Sequence, residues 1–296
     1  MPGERSARRR GALLVLAATV TWSLAGVFAR LVSHLDVWTV VGWRALLGAV
    51  SISVVGFIEW RRGQMDSPLG FGALSPIVAL LAMIAISGYA ASVMTTTVAD
   101  VMVIYATLPF VAAGLGFLVN RERPSPRTLA ASGLALMGIV IMVAANLGQG
   151  RLIGQALSAI MTLAFAGMIV LQRRRPRASM IVVNAVGALG SGLFGLMNSP
   201  HPPITPFDFA VLFGFGFTTI GLAFVLFMEG AKFIPSVEAG LISQLDVVLG
   251  PLWVFLAFGE NPGLATVSGG ALVLAATLWR VAPELQRERI VAREGI

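Results

Sequence analysis

Ten apolar runs, each roughly 17–23 residues long, follow one another along the chain and are separated by short clusters of charge. They lie at 11–32, 38–58, 71–93, 97–119, 127–145, 151–171, 178–198, 207–228, 237–258 and 264–280. Each is long enough to cross about 30 Å of hydrocarbon as a helix. In hydrocarbon every backbone N–H and C=O must be satisfied by protein, which helices do within one segment. Apolar residues make up 57% of the chain and charged ones 12%, about half the ~25% of soluble domains, so a water-facing surface cannot be covered. The expected fold class is therefore an all-α integral membrane protein with ten transmembrane helices. The softest boundary is "SVMTTT" (92–97), which carries no charge and would also suit one long kinked helix.

The basic residues act as a compass. With the N-terminus cytoplasmic, eighteen of the 21 Lys and Arg residues fall in inside segments, only Arg30 and Arg151 fall outside, and Arg44 lies within the second span. Both ends are basic, so both termini are expected in the cytoplasm of a multi-pass inner (plasma) membrane protein, which requires an even number of spans. The same distribution explains the pI of 11.3 without nucleic acid as a partner. Arg5, Arg8, Arg9 and Arg10 precede a run longer than a signal-peptide core, which reads as a retained first helix. With no cysteine, disulfides and thiolate-bound metals are excluded.

The segment "FLVNRERPSPRTLAASGLAL" (117–136) returns 138 positions later as "FLAFGENPGLATVSGGALVL" (255–274). Phe117, Leu118, Glu122, Pro124 and Thr128 reappear as Phe255, Leu256, Glu260, Pro262 and Thr266, while Arg121, Arg123 and Arg127 become Gly259, Asn261 and Ala265. Five spans per repeat is an odd number, so the second copy enters the membrane from the opposite side, where positive-inside selection removes basic residues. The expected organisation is two inverted-topology five-helix repeats, 11–145 and 151–280, with a cytoplasmic basic tail at 1–10 and a cytoplasmic tail at 281–296. Inverted repeats are a signature of secondary transporters, with substrate sites near the midplane.

The segments "YATLPFVAAGLGFLVNRERPSPRTLAASGLALMGIVIM" (105–142) and "LDVVLGPLWVFLAFGENPGLATVSGGALVLAATL" (245–278) resemble the paired motifs of the EamA group of the drug/metabolite transporter superfamily. "TWSLAGVFARLVS" (21–33) and "GWRALLGA" (42–49) look like the group's first two helices, so the resemblance covers nearly the whole chain. Within the group, "TVTWSLAGVFARLVS" together with "YATLP" looks most like the YddG-type amino-acid exporters. The resemblance implies metabolite export without a cofactor. One departure is that Pro109 becomes Val247 at the repeat offset, with Pro251 one turn later, which would displace the break in the ninth helix.

A path for polar metabolites needs groups that replace lost water, because desolvating an ammonium or carboxylate costs several kcal/mol. Asp246, about nine residues into the ninth span, should face the interior, with Gln244 beside it. Pro109 and Pro251 are the expected helix breaks, each freeing a carbonyl at similar depth. Trp22, Ser23, Tyr89, Tyr105 and Thr107 complete the expected substrate-binding set. Asp100 and Glu238 match at the 138 offset and lie near opposite faces, so they are candidate gates, or else first-turn charges of their helices. Arg44, about two turns into the second span, is placed to snorkel outward or to serve as a charge partner of a gate or a substrate carboxylate. Small residues at four-residue spacing, Gly187, Ser191 and Gly195, read as a packing seam.

"GFGFTTIG" (214–221) follows no strand, so a dinucleotide site is excluded by context, and no P-loop is present for ATP. Two histidines, His34 and His201, both in outside loops, leave no constellation for an intramembrane enzyme or a metal site. The expected function is a secondary exporter of small, zwitterionic metabolites, amino acids first, working by alternating access. Cationic drugs or nucleotide sugars are the alternative substrates, and a nontransporting membrane scaffold the alternative class. Ten spans suffice for a pathway in a monomer, so no protein partner is required beside the lipid bilayer, and an oligomer stays compatible with the sequence.

Overall fold

The computed structural model describes residues 2–63, 71–121, 125–145, 150–175 and 179–294; Glu122, Arg123, Pro124 and Arg177 fall outside them. The described residues form helices throughout, with no strand among them. Span one is α1 (Pro2–Ser23) and α2 (Ala25–Leu31), bent at Leu24; spans two and three are α3 (Val37–Arg61) and α4 (Ser75–Thr95). Span four is α5 (Val98–Tyr105) and α6 (Leu108–Asn120), and span five is α7 (Pro126–Ala145). Spans six and seven are α8 (Leu152–Arg174) and α9 (Met180–Asn198). Span eight runs from α10 (Pro206–Gly216) through a π-helical turn (Phe217–Leu222) into α11 (Ala223–Ala231). Span nine is α12 (Ser236–Ser243) and α13 (Asp246–Phe258), and span ten is α14 (Leu264–Glu294). Nine of these are long and apolar enough to cross a bilayer, and 264–280 of α14 is a shorter apolar tenth. Both expected tails are helical: α1 starts at Pro2 and α14 continues to Glu294.

"SVMTTT" separates two helices. The Thr97 side chain accepts from Asp100 N and starts α5, which satisfies a first-turn donor and stops α4 from running on.

The two breaks at mid-span are built alike. In span four, Thr107 N bonds Ile104 O at 3.1 Å, a tight i to i−3 turn, and Phe110 N and Val111 N both return to Thr107 O. In span nine, 138 positions on, Leu245 N bonds Ile242 O at 3.1 Å, and Val248 N and Leu249 N both return to Leu245 O. One difference is that Val247 N also reaches Gln244 O at 3.1 Å, a bond that Pro109 cannot make. This corrects the sequence expectation: the break in span nine is not displaced toward Pro251, which lies inside α13. Pro109 does sit at the break, in the first turn of α6, where its missing donor is tolerated.

The two five-helix repeats are inverted, and the pairing of spans follows their relation. Span two packs on span seven, and span five on span ten, pairs that map onto themselves when the repeats exchange. Span three packs on span six as span eight packs on span one, pairs that swap. Small residues make the closest approaches. A Cβ on Gly138 of α7 would lie 2.5 Å from Gly269 O of α14, and one on Gly269 would lie 2.4 Å from Gly138 O. The expected seam of α9 is also present: Gly187 lies against Ala82, Gly195 against Gly42, and the Ser191 and Ser87 hydroxyls bond at 2.7 Å.

The two ends of the bundle differ. At the end carrying Glu260, α5 packs against α13 and α2 against α13, with Gly26 seated on Val254 and Val98. At the end carrying Lys232, α6 and α12 make no comparable contact among the described residues, and α12 instead lies along α1 and is held by Arg8 Nη2 on Glu238 Oε2 at 2.7 Å. Spans four and nine are thus closed together at one end and parted at the other.

Candidate functional site

The breaks in spans four and nine bring a polar cluster to the middle of the bundle. Asp246 is the first residue of α13, so its carboxylate meets the positive end of a half-helix, an arrangement worth about 0.3–1 kcal/mol at an exposed helix end. Its Oδ1 has no hydrogen-bond partner among the described residues, nor has Oε1 of Gln244, although both atoms are out of contact with solvent. An unmet buried acceptor costs about 1–3 kcal/mol and calls for an explanation, such as strain, an ordered water, an ion or a ligand. Tyr89 and Tyr105 line the same region: Tyr89 lies within electrostatic reach of Asp246, Arg44 and Tyr105, and Tyr105 within reach of Asp246. Tyr105 also meets the ring of Phe165 from span six at 6.1 Å. Thr107, in the break itself, gives its hydroxyl to Ile104 O at 2.6 Å.

Arg44 does not snorkel outward, which corrects the sequence expectation. It is 4% exposed, and Gly216 of span eight rides directly on its backbone: a Cβ there would fall 2.4 Å from Arg44 O. The guanidinium carbon is held 4.4 Å from the Phe215 ring centroid and 5.4 Å from that of Tyr89. Nη2 donates to Thr219 Oγ1 at 3.1 Å and Nη1 to Ile86 O at 3.4 Å, while Nε has no partner among the described residues. Thr219 belongs to the π-helical turn of span eight, and its carbonyl accepts from Trp22 Nε1 at 2.9 Å. Such turns are rare and concentrate at functional positions.

Trp22 and Ser23, expected as cavity wall, tie span one to spans eight and nine. Trp22 stacks at a tilt on Phe227, 5.5 Å away, with its N–H committed to span eight. Ser23 is 2% exposed; its hydroxyl donates to Val20 O and accepts from Trp253 Nε1 at 2.9 Å, tying span one to span nine.

Asp100 is fully buried near the closed end. It accepts from Thr96 Oγ1 at 3.1 Å, Gln155 Nε2 at 3.1 Å and Thr266 Oγ1 at 2.8 Å, and Arg151 Nη1 stands 4.0 Å away. These donors come from the joint before α5, α8 and α14, so the carboxylate fastens span four to both neighbours. Glu238 sits at the opposite end on Arg8. The second fastening at the closed end went unread in the sequence: Arg30 and Glu260. Glu260 falls at the repeat offset from Glu122, a recurrence of one acid in both turns that marks it once side chains are weighed beside the missing arginines. A lipid-facing groove of about 280 Å³ between spans two and seven, with Phe57, Trp60, Ile181 and Val186 in its lining, shares no residue with this cluster.

Inverted repeats with broken helices, closed at one end around a polar interior, define the class of membrane transporter proteins. The chain belongs to the EamA-like transporter family, which matches residues 9–144 and 152–281, one match per repeat. It is 25% identical over 285 residues to an uncharacterized transporter of Archaeoglobus fulgidus, covering 92% of this chain and 97% of that one. It is 26% identical over 281 residues to an uncharacterized transporter of Pseudomonas aeruginosa, covering 90% and 92%. A solved crystal structure of a protein 17% identical superposes with a TM-score of 0.63 over 94% of this chain and 98% of that one, a likeness of fold.

Proposed function

We propose that this transporter exports small zwitterionic metabolites, amino acids first, by alternating access between its two halves. The observation that carries the reading is the pair of unmet acceptors, Asp246 Oδ1 and Gln244 Oε1, at the break in span nine, where Asp246 is within electrostatic reach of Tyr89 and Tyr105. An ammonium group supplies donors to both acceptors, and aromatic walls suit a side chain. A zwitterion brings its own counter-charge, so a site with one free carboxylate and one buried guanidinium suffices. Phosphorylated or nucleotide-linked sugars carry more negative charge than that set compensates.

The arginine distribution favours the Glu260 end as the outer face of a plasma membrane, with both termini in the cytoplasm. On that orientation the parted end opens inward, the state in which an exporter loads. The opposite closure of the same halves would release substrate outside. The cycle needs one chain only.

The test is flux of labelled methionine, threonine, phenylalanine and a nucleotide sugar in liposomes holding the purified protein, with and without a pH gradient. The neutral amino acids are expected to cross faster, and the reverse order of rates would overturn the reading. A second reading, export of cationic amphiphiles, is favoured by the same unmet acceptors; it predicts that an amine lacking a carboxylate crosses as fast as the amino acid.

A further inference from the structure

Arg44 is a permanent positive charge packed where hydration cannot reach it, and no carboxylate pairs with it among the described residues. Its compensation consists of two ring faces, one hydroxyl and one long bond to a carbonyl. Neutral acceptors and π faces recover only part of what a guanidinium loses on leaving water, and a buried charge without a counter-ion is a costly feature to keep. The arrangement is nonetheless held rigidly. The backbone is clamped by Gly216, Nη2 is oriented by Thr219, and Thr219 is itself fixed by a π-helical turn that Trp22 braces. What remains free is Nε, on the edge of the planar fork that binds carboxylates bidentately.

The neighbour that links this fork to the polar cluster is Tyr89. It is half-buried, lies against the guanidinium, and is within electrostatic reach of Asp246. Arg44 on span two and Asp246 on span nine are therefore both within electrostatic reach of one tyrosine, with opposite charges and each with an unmet polar atom.

We propose that Arg44 is the receptor for the substrate's carboxylate, so that an amino acid binds with its carboxylate toward Arg44 and its ammonium toward Asp246 and Gln244. This rests on the amino-acid reading above and goes beyond it by assigning a binding residue and a polarity. It also makes Tyr89 the side chain that must shift for the carboxylate to reach Nε. A guanidinium that serves only to glue span two to span eight would be indifferent to whether the solute carries a carboxylate.

The test uses the full-length protein in liposomes and measures how well unlabelled solutes compete with labelled methionine. The competitors are methionine, methioninol and methionine amide, the last two keeping the ammonium and side chain without the carboxylate. For the unaltered protein, methionine is expected to compete about 10- to 100-fold better than methioninol, the span of a charge-assisted hydrogen bond. In Arg44→Gln the ratio should fall to about one, with competition by methioninol unchanged; in Arg44→Lys, which keeps the charge but not the fork, it should lie between. A folded Arg44→Gln protein that keeps the full ratio overturns the proposal. If Arg44→Gln does not fold, Thr219→Val decides, since losing the acceptor that orients Nη2 should lower the ratio severalfold, and an unchanged ratio overturns the proposal equally. Failure of the amino-acid reading shows differently, as absence of methionine flux in the unaltered protein, and takes this assignment with it.

Discussion

Arg30 Nε donates to Glu260 Oε2 at 2.5 Å, joining the far end of span one to the loop between spans nine and ten. The pair is well furnished. Arg30 also reaches Val93 O at 2.5 Å and Thr96 O at 2.9 Å, and the other oxygen of Glu260 accepts from Val98 N at 2.9 Å. Four segments thus meet at two side chains that are mostly hidden from solvent, 17% and 20% exposed. A pair so satisfied gains little over an apolar contact, but loss of one partner strands the other.

Glu260→Gln should therefore loosen the closed end while leaving the rest of the bundle intact. Because the natural chain lacks cysteine, a single Thr107→Cys reports access to the break in span four. On intact cells its labelling by a membrane-impermeant thiol reagent should quicken by about tenfold when Glu260→Gln is added, the scale of one charge-assisted bond. Unchanged labelling would mean that the packing of Gly26, Val98 and Val254 closes this end alone.

Single cysteines at Arg62 and Arg175 should resist an impermeant reagent on intact cells, whereas those at His201 and Asn261 should react. The pattern follows from eighteen basic residues on one side against two on the other. Reaction at Arg175 from outside would reverse the orientation and make the parted end the outer one.

Asp246→Asn keeps the volume of the side chain and removes its charge. Flux of methionine is expected to fall about tenfold or more through the lost ion pair with an ammonium, with the thermal midpoint of the detergent-solubilised protein unmoved. A collapse of stability with normal residual flux would instead make Asp246 a structural group of span nine.

Gly138→Leu drives a side chain into the backbone of Gly269 and should destabilise the protein by about 1–3 kcal/mol or more, seen as a lowered midpoint in thermal unfolding. Gly133→Leu on the same helix is the control, since nothing lies within 4 Å of a Cβ there and no loss is expected.

Much of the fold was legible because hydrocarbon leaves few options: apolar runs of spanning length become helices, and arginines that vanish from a repeated turn betray its inversion. The site was legible in part. Asp246, Gln244, Tyr89 and Tyr105 could be chosen because polar groups at mid-span are costly and need a reason. Arg44 was left with two directions open because its depth along span two does not fix its direction, which Phe215, Tyr89 and Thr219 on other helices decide. The partners of Trp22 and Ser23 could not be read locally for a similar reason: Thr219 and Trp253 are 197 and 230 residues away. Arg30 and Glu260 escaped notice because each alone looks like an ordinary loop charge, and only the folded bundle joins them.

The matching breaks of spans four and nine give the two halves unequal mechanics. In span four the ring of Pro109 forbids the backbone bond that would straighten the helix, so that joint is permanent. In span nine Val247 keeps its N–H, already spent on Gln244 O, and a small change of register would let it rejoin a continuous ladder. The molecule therefore pairs a fixed elbow with an adjustable one. In the cycle proposed above, such a pair places the easier bend in the second repeat and the stiffer one in the first.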